Sequence, residues 1–323
     1  MIEYGAMSEL QLPDAGKVRV VAERLREYIS RSKAPNTVRA YAADWRDFSV
    51  WSEQHGWAAL PARPETVALY LTELADTMRV STVTRRVSAI SQAHRLAGFD
   101  PPTADTRVKT VMSGIRRVKG TVQRGKRPLL TADLRSIVQQ LPSTLMGMRD
   151  RALLLLGFAG AFRRSELVGL DIGDLEFGRE GLKATVLRSK TDQEGQGRRV
   201  GIPYGSHAGT CPVRAVEGWL TALGAVSGPV FRRIDRHGHI GTGRLTDRAV
   251  ALILKRSAAA AGFTADNLSG HSLRAGLATA AAAAGVSERA IMAQTGHRSL
   301  TTVRKYIREG SLFLENAAAK VGL

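Results

Sequence analysis

The stretch TVRAYAADWRDFSVWSEQHG, residues 37–56, places Val38, Tyr41, Trp45, Phe48 and Trp51 at helical spacing on one face and stops at Gly56. A stripe that apolar has to be covered by other elements, so it commits the chain around it to a packed helical layer. The same period recurs on both sides. VRVVAERLREYIS (18–30) carries apolar residues at 18, 21, 25, 28 and 29, and RPETVALYLTELAD has Pro64 where a helix start tolerates it. STVTRRVSAISQAHRLAGF (81–99) reads as a helix capped by Ser81 or Thr82 and stopped by Gly98, and TRVKTVMSGIRRVKG (106–120) as another. No strand alternation interrupts this run. Residues 1–16 are expected to be a flexible amino-terminal segment and 17–120 a helical domain.

A change of character follows. Residues 116–127, RRVKGTVQRGKR, hold six basic and no acidic side chains, and Pro128 comes next. We set a basic linker at 121–130 and a second domain at 131–323. GTVQRGK within it approaches a phosphate-cradling loop, but Arg127 stands where Ser or Thr must bind magnesium, and no strand precedes it. The second domain is expected to open with Thr131 capping ADLRSIVQQL. An apolar helix then runs to a turn at Gly160, and a short helix carries Arg163 to Leu167. Two strand-like runs, 182–189 and 198–204, flank the turn-forming TDQEGQG. Helical patterns then resume to the end. The expected fold class is mainly α: a helical domain followed by a mostly α domain with a small antiparallel β-sheet.

Charge narrows the function classes. The chain has 323 residues, 47 Lys and Arg against 29 Asp and Glu, and a formal net charge of +18. An excess of that size attracts polyanions, nucleic acid first. No apolar run approaches the roughly 18–20 residues of a membrane span, and the start lacks the pattern of a signal peptide. Cys211 is the single cysteine, which excludes an internal disulfide and suits a reducing cytosol. The expected location is the cytoplasm, in association with the nucleoid.

Several polar residues interrupt the apolar segments of the second domain. Arg163, Arg164 and Glu166 follow the most apolar helix, and Lys190 sits in the turn between the strand-like runs. His271 and Arg274 share a helix face, His297 follows a glycine, and Tyr306 lies among Arg304, Lys305 and Arg308. A phenol used as core filler would have apolar neighbours instead. In order, FRRSEL, SKT, HSLR, TGH and KYI resemble the tyrosine recombinases, the family of the lambda-integrase, Cre and Xer-type site-specific DNA recombinases. PNTVRAYAADWRDFSVW is similar to their core-binding, SAM-like domain, so the resemblance spans roughly residues 20–320.

The resemblance implies a two-domain clamp around duplex DNA. It implies transesterification through a 3′-phosphotyrosine, a Holliday junction, and a homotetramer acting on two sites. Tyr306 would be the nucleophile. A free phenol is only about 0.1% ionised at pH 7, so nearby positive charge would help it. Arg163 and Arg274 would grip the non-bridging oxygens through forked hydrogen bonds, with the RxSEL register favouring Arg163 over Arg164. Lys190 would protonate the leaving 5′ oxygen. His271 would donate a hydrogen bond or help as base, and His297 would bond a non-bridging oxygen. Glu166 would support the cluster. The DNA-binding set is read as Arg85, Arg86, Arg116, Arg117, Lys119, Arg124, Lys126 and Arg127. The segment 311–323, with an apolar face, would dock into a neighbouring subunit.

Ala275 and Gly276 stand where Xer-type members usually carry a second histidine, which argues against a housekeeping Xer. His237 and His239, with His207 and Cys211 upstream, fit no compact metal pattern. Arginines would supply the charge, so neither metal nor cofactor is expected. Two other readings stay open: a type IB topoisomerase-like enzyme, and a non-catalytic DNA-binding regulator.

Overall fold

The computed structural model describes residues 35–121, 126–187, 197–310 and 321. The chain divides into two compact units, Met1–Arg124 and Gly125–Leu323. The expected flexible segment 1–16, the 18–30 helix, Arg124, Lys190 and nearly all of the 311–323 tail lie outside the described residues.

In the first unit the described elements are helices: α1 Pro35–Gln54, α2 Pro64–Thr77, α3 Val80–Leu96 and α4 Thr106–Lys119. The α1 stripe turns inward as expected. Trp45 and Phe48 are buried against Val67, Tyr70, Leu71, Val83, Ile90, Val108 and Met112. Neither Ser81 nor Thr82 caps α3, because the helix starts one residue earlier, behind Arg79, with no side-chain cap. Asp105 caps α4 by accepting from the Arg107 amide at 2.8 Å. His94 is fully buried, accepting from the Ala62 amide at 2.9 Å while its other ring nitrogen meets the Ile90 carbonyl.

One residue expected to touch DNA belongs to this core. Arg86 is 8% exposed and bonds Asp47 and the Tyr70 hydroxyl, with Asp44 also near. Its charge is matched internally, so it does not face a phosphate. Its neighbour Arg85 is half exposed and forks onto Asp44 at 2.7 and 2.9 Å. Arg116, Arg117 and Lys119 line the exposed end of α4. Lys119 reaches the Asp76 and Met78 carbonyls.

The second unit surrounds a nearly all-apolar helix. It runs α5 Thr131–Gln139, α6 Leu145–Ala159, α7 Arg164–Gly169, β1 Leu175–Gly178, β2 Gly181–Val186, β3 Arg198–Pro203, α8 Pro212–Leu223, β4 Arg232–Ile234, β5 Ile240–Arg244, α9 Asp247–Ala260, α10 His271–Ala283, α11 Glu288–Thr295 and α12 Leu300–Gly310. Thr131 does not cap α5, since Leu130 holds that position. Residues Ala152 to Phe158 of α6 are buried on every side, as a central helix must be. An antiparallel sheet β1-β2-β3 packs beside it, with Val186 opposite Arg198 and Leu182 opposite Ile202. β4 and β5 form a separate hairpin. The strand expected over 182–189 ends at Val186. β1, β4 and β5 went unanticipated, being three to five residues long.

Gly276 leaves no room for a side chain. A Cβ there would lie 1.9 Å from the Leu129 carbonyl oxygen, so the backbone entering this unit rests directly on α10. Leu129 also donates its amide to the Ser272 carbonyl at 3.0 Å. Lys126 and Arg127, both exposed, hold the same strand of chain through the Asp266 carbonyl and the Asp133 carboxylate. No described helix is long and apolar enough to cross a membrane.

Candidate active site

Four separate segments deliver the cluster. The first is the turn between α6 and α7. Ala161 takes a left-handed backbone conformation, φ 48°, unusual for a side chain with a Cβ. This reverses the chain and presents Arg163 at the head of α7. Glu166, one turn on, is 3% exposed. Its Oε2 accepts from the Arg163 amide at 3.0 Å, and its Oε1 takes the Arg163 guanidinium. Burial alone would raise the Glu166 pKa, but these bonds and the Arg198 and Arg163 charges hold it below the usual carboxylate range. An exposed helix carboxylate is therefore not what Glu166 is. Arg164 turns away, is exposed, and lies 3.7 Å from Asp247.

The second segment is the start of α10. Arg274 is 1% exposed, and its Nη1 donates to the Ala161 carbonyl at 2.8 Å. Its Nη2 is buried without a hydrogen-bond partner. Burial first, and the Arg163 charge second, pull its pKa down to about 10, so it stays cationic at neutral pH. One turn earlier, His271 brings Nε2 to 2.6 Å from the Tyr306 hydroxyl. Partial desolvation of a ring that still keeps an exposed edge, and then the Arg274, Arg163 and Arg164 charges, lower the His271 pKa, favouring the neutral ring.

The third segment is the turn after α11. Gly296 adopts φ 65° to end the helix and aim His297 back at the cluster. Thr295 donates its hydroxyl to the Ile291 carbonyl at 2.7 Å, so the same oxygen accepts from His297 Nδ1–H at 2.7 Å. In the neutral ring that leaves Nε2 as an acceptor. Burial, followed by Arg274, Arg163, His271 and Arg198, lowers the His297 pKa to about 4.

The fourth segment is α12. It seats Val303 in a small apolar cluster with Ala278, Ala282 and Ile291, against which Tyr306 packs half-buried. The Tyr306 ring centroid lies 6.1 Å from that of His271 and 5.8 Å from that of His297. Of the cations adjacent in sequence, Arg304 faces away toward Glu288 at 3.3 Å. The charge acting on Tyr306 from across the fold includes Arg274.

Arg163, Glu166, His271, Arg274, His297 and Tyr306 are thus gathered. Sequence reading missed Arg198, whose guanidinium joins Glu166 at 3.0 Å and the Gln294 carbonyl at 3.0 Å. Strand alternation held the signal: Arg198 shares a face with Val200 and Ile202, both buried. His237 and His239 stand apart in the β4–β5 turn around Asp235. Among the described residues no group of three or more His, Cys, Asp or Glu could hold a metal ion. Chemically, the cluster offers a phenol 2.6 Å from a ring nitrogen, beside two guanidiniums, one of which has a buried donor without a partner. It suits displacement at a phosphodiester.

Known proteins resemble this chain over most of its length. The phage integrase family matches residues 128–311, and the phage integrase N-terminal SAM-like domain matches residues 22–97. An integrase/recombinase xerD homolog of Selenomonas ruminantium is 45% identical over 293 residues, 90% of this chain and 86% of the relative. Among solved structures, XerH site-specific recombinase bound to palindromic difH substrate, a post-cleavage complex, shares the fold with TM-score 0.69 at 16% identity, covering 98% of this chain and 92% of that one. A lambda integrase tetramer bound to a Holliday junction shares it with TM-score 0.56 at 17% identity, covering 91% and 78%.

Proposed function

We propose, from the premise that this chain belongs to the phage integrase family and is a site-specific tyrosine recombinase, that Tyr306 opens the DNA backbone and holds the cut end as a 3′-phosphotyrosine. Family membership makes the chain an enzyme that cleaves and religates DNA. The residue roles are our reading of its geometry.

In the forward step the Tyr306 oxygen bonds the scissile phosphorus, and the bond to the 5′ oxygen breaks. His271 Nε2 accepts the phenol proton, and the 2.6 Å approach is the single observation that most supports this. Arg163 and Arg274 neutralise the charge on the non-bridging oxygens. An arriving phosphate raises the His297 pKa, and the protonated Nε2 then donates to one of those oxygens. Lys190, which falls between β2 and β3 in the sequence, protonates the departing 5′ oxygen. Glu166 fixes Arg163. Religation reverses the steps with a 5′ hydroxyl from the partner strand. One phosphoester replaces another, so the exchange needs no energy source.

Four protomers on two sites would exchange one strand pair, pass through a Holliday junction, and exchange the second. The two solved relatives described above, one post-cleavage on its substrate and one a tetramer on a junction, support this course through shared fold. We assign 311–323 to a neighbouring protomer. An apolar cavity of about 470 Å³ between α5, α6, α10 and α11, lined by Leu134, Phe158, Leu277 and Ile291, is a receiver of suitable chemistry. The test of the function is a nicked half-site, on which the cut end cannot religate. Incubation without metal should give a protein–DNA adduct that Tyr306→Phe abolishes. A monomer relaxing circles at any sequence would favour the topoisomerase reading instead.

A further inference from the structure

Arg198 opens β3, yet its side chain ties together two parts of the cluster that are far apart in sequence. Nη2 donates to Glu166 Oε2 and Nη1 to the Gln294 carbonyl, each at 3.0 Å. The guanidinium lies 5.8 Å over the Phe162 ring. Gly296 leaves the space: a Cβ there would fall 2.9 Å from Arg198 Nε, and φ 65° already suits glycine. Nε itself is buried without a hydrogen-bond partner.

A part-buried guanidinium with an unmatched donor is a costly way to fasten a loop. A hydrocarbon of similar volume is often as stable or more so. What the arginine supplies that a hydrocarbon cannot is register. Glu166 has two oxygens: one takes the Arg163 guanidinium, and the other is shared by the Arg163 amide and Arg198. The second arm of Arg198 grips Gln294, three residues before His297. We infer that Arg198 is a positioning residue for strand cleavage, locking the Arg163–Glu166 pair to the turn that carries His297. The inference rests on the cleavage chemistry proposed above.

Electrostatics support the same role. His297 faces Arg274 and His271 on α10, Arg163 before α7, Tyr306 on α12 and Arg198 on β3, with Thr295 on its Nδ1. Burial and these cations hold the ring neutral in the free enzyme. Loss of the Arg198 charge would ease that pressure and move the His297 midpoint upward.

The experiment compares the full-length chain with Arg198→Met, Arg198→Lys and Tyr306→Phe. Adduct formation on the nicked half-site, half-site affinity, melting temperature and the His297 ring titration by NMR (assigned through His297→Gln) are measured for each. The expected result for Arg198→Met is adduct formation slowed about 10–100-fold, with affinity and melting temperature retained and the His297 midpoint raised. Arg198→Lys should keep the His297 midpoint and recover part of the rate. An unaltered rate in Arg198→Met overturns the inference. So does a rate loss that follows melting temperature or affinity, is not eased by lysine, and leaves the His297 midpoint in place. If the unaltered chain forms no adduct that depends on Tyr306, the nucleophile assignment fails and this inference falls with it. A normal Tyr306-dependent adduct in both the unaltered chain and Arg198→Met refutes the role of Arg198 alone.

Discussion

At the residue scale, Arg274 carries the clearest mark of a site built for an anion. It is almost wholly buried, and one of its terminal nitrogens has no partner. A desolvated cation with an unmatched donor is destabilising until something negative completes it. Arg274→Met should therefore slow adduct formation by about 10²–10³, while the melting temperature stays the same or rises. Single-turnover cleavage and thermal melting check both halves. The histidines give a second prediction. Folding lowers the His297 pKa from its ordinary value to about 4, so below the ordinary value the unfolded chain binds the proton first. The stabilising contribution is complete above about pH 6.5 and is lost as pH falls toward 4, with a slope of at most about 1.4 kcal/mol per pH unit. His271 is lowered too and acts in the same sense. Urea unfolding at several pH values between 7 and 5 should show a shallower slope in His297→Gln. An unchanged slope would contradict the neutral, part-buried ring.

At the element scale, α10 does two jobs. Its first turn supplies His271 and Arg274, and its next residues receive the incoming backbone at Leu129. Gly276→Ala would force a methyl into the Leu129 carbonyl. Overpacking of this kind costs about 1–3 kcal/mol, measurable by denaturant unfolding, and cleavage should fall with it because the same helix carries the cluster. The described helices of the first unit were legible from period, since stripes such as Trp45 and Phe48 have only one side on which to be buried, whereas α6 was legible as an unbroken apolar run. The cluster was legible as an ordered set of motifs, because polar residues inside apolar segments need a reason. What escaped reading has a common cause in contacts across the fold. The hairpin β4–β5 is too short to show alternation. Arg86 has the composition of a surface cation, and only the arrival of Asp47 and Tyr70 from neighbouring helices makes it a core residue. Arg198 was visible on the inward face of β3, but its partners lie 32 and 96 residues away in the chain.

For the whole molecule, the formal charge of +18 sets how it meets DNA. Half-site affinity should fall linearly on logarithmic axes as salt rises, with a slope near −0.9 for each phosphate neutralised. The exposed Arg116 and Arg117 separate from the buried Arg86 in this assay. Arg116→Ala or Arg117→Ala should each reduce the slope by about 1. Arg86→Ala should leave the slope unchanged and lower the melting temperature. A chain ending at Glu309 should still bind and cut half-sites but fail to recombine paired sites; normal recombination would remove the docking role assigned to 311–323. The cleavage and recombination predictions rest on one covalent bond. Nuclease trimming of the half-site adduct, followed by mass spectrometry of its peptides, locates that bond directly. A 3′-phosphonucleotide is expected on the peptide containing Tyr306, at the phenolic oxygen. Cleaved DNA with the nucleotide on any other residue, or with no protein attached, would contradict it.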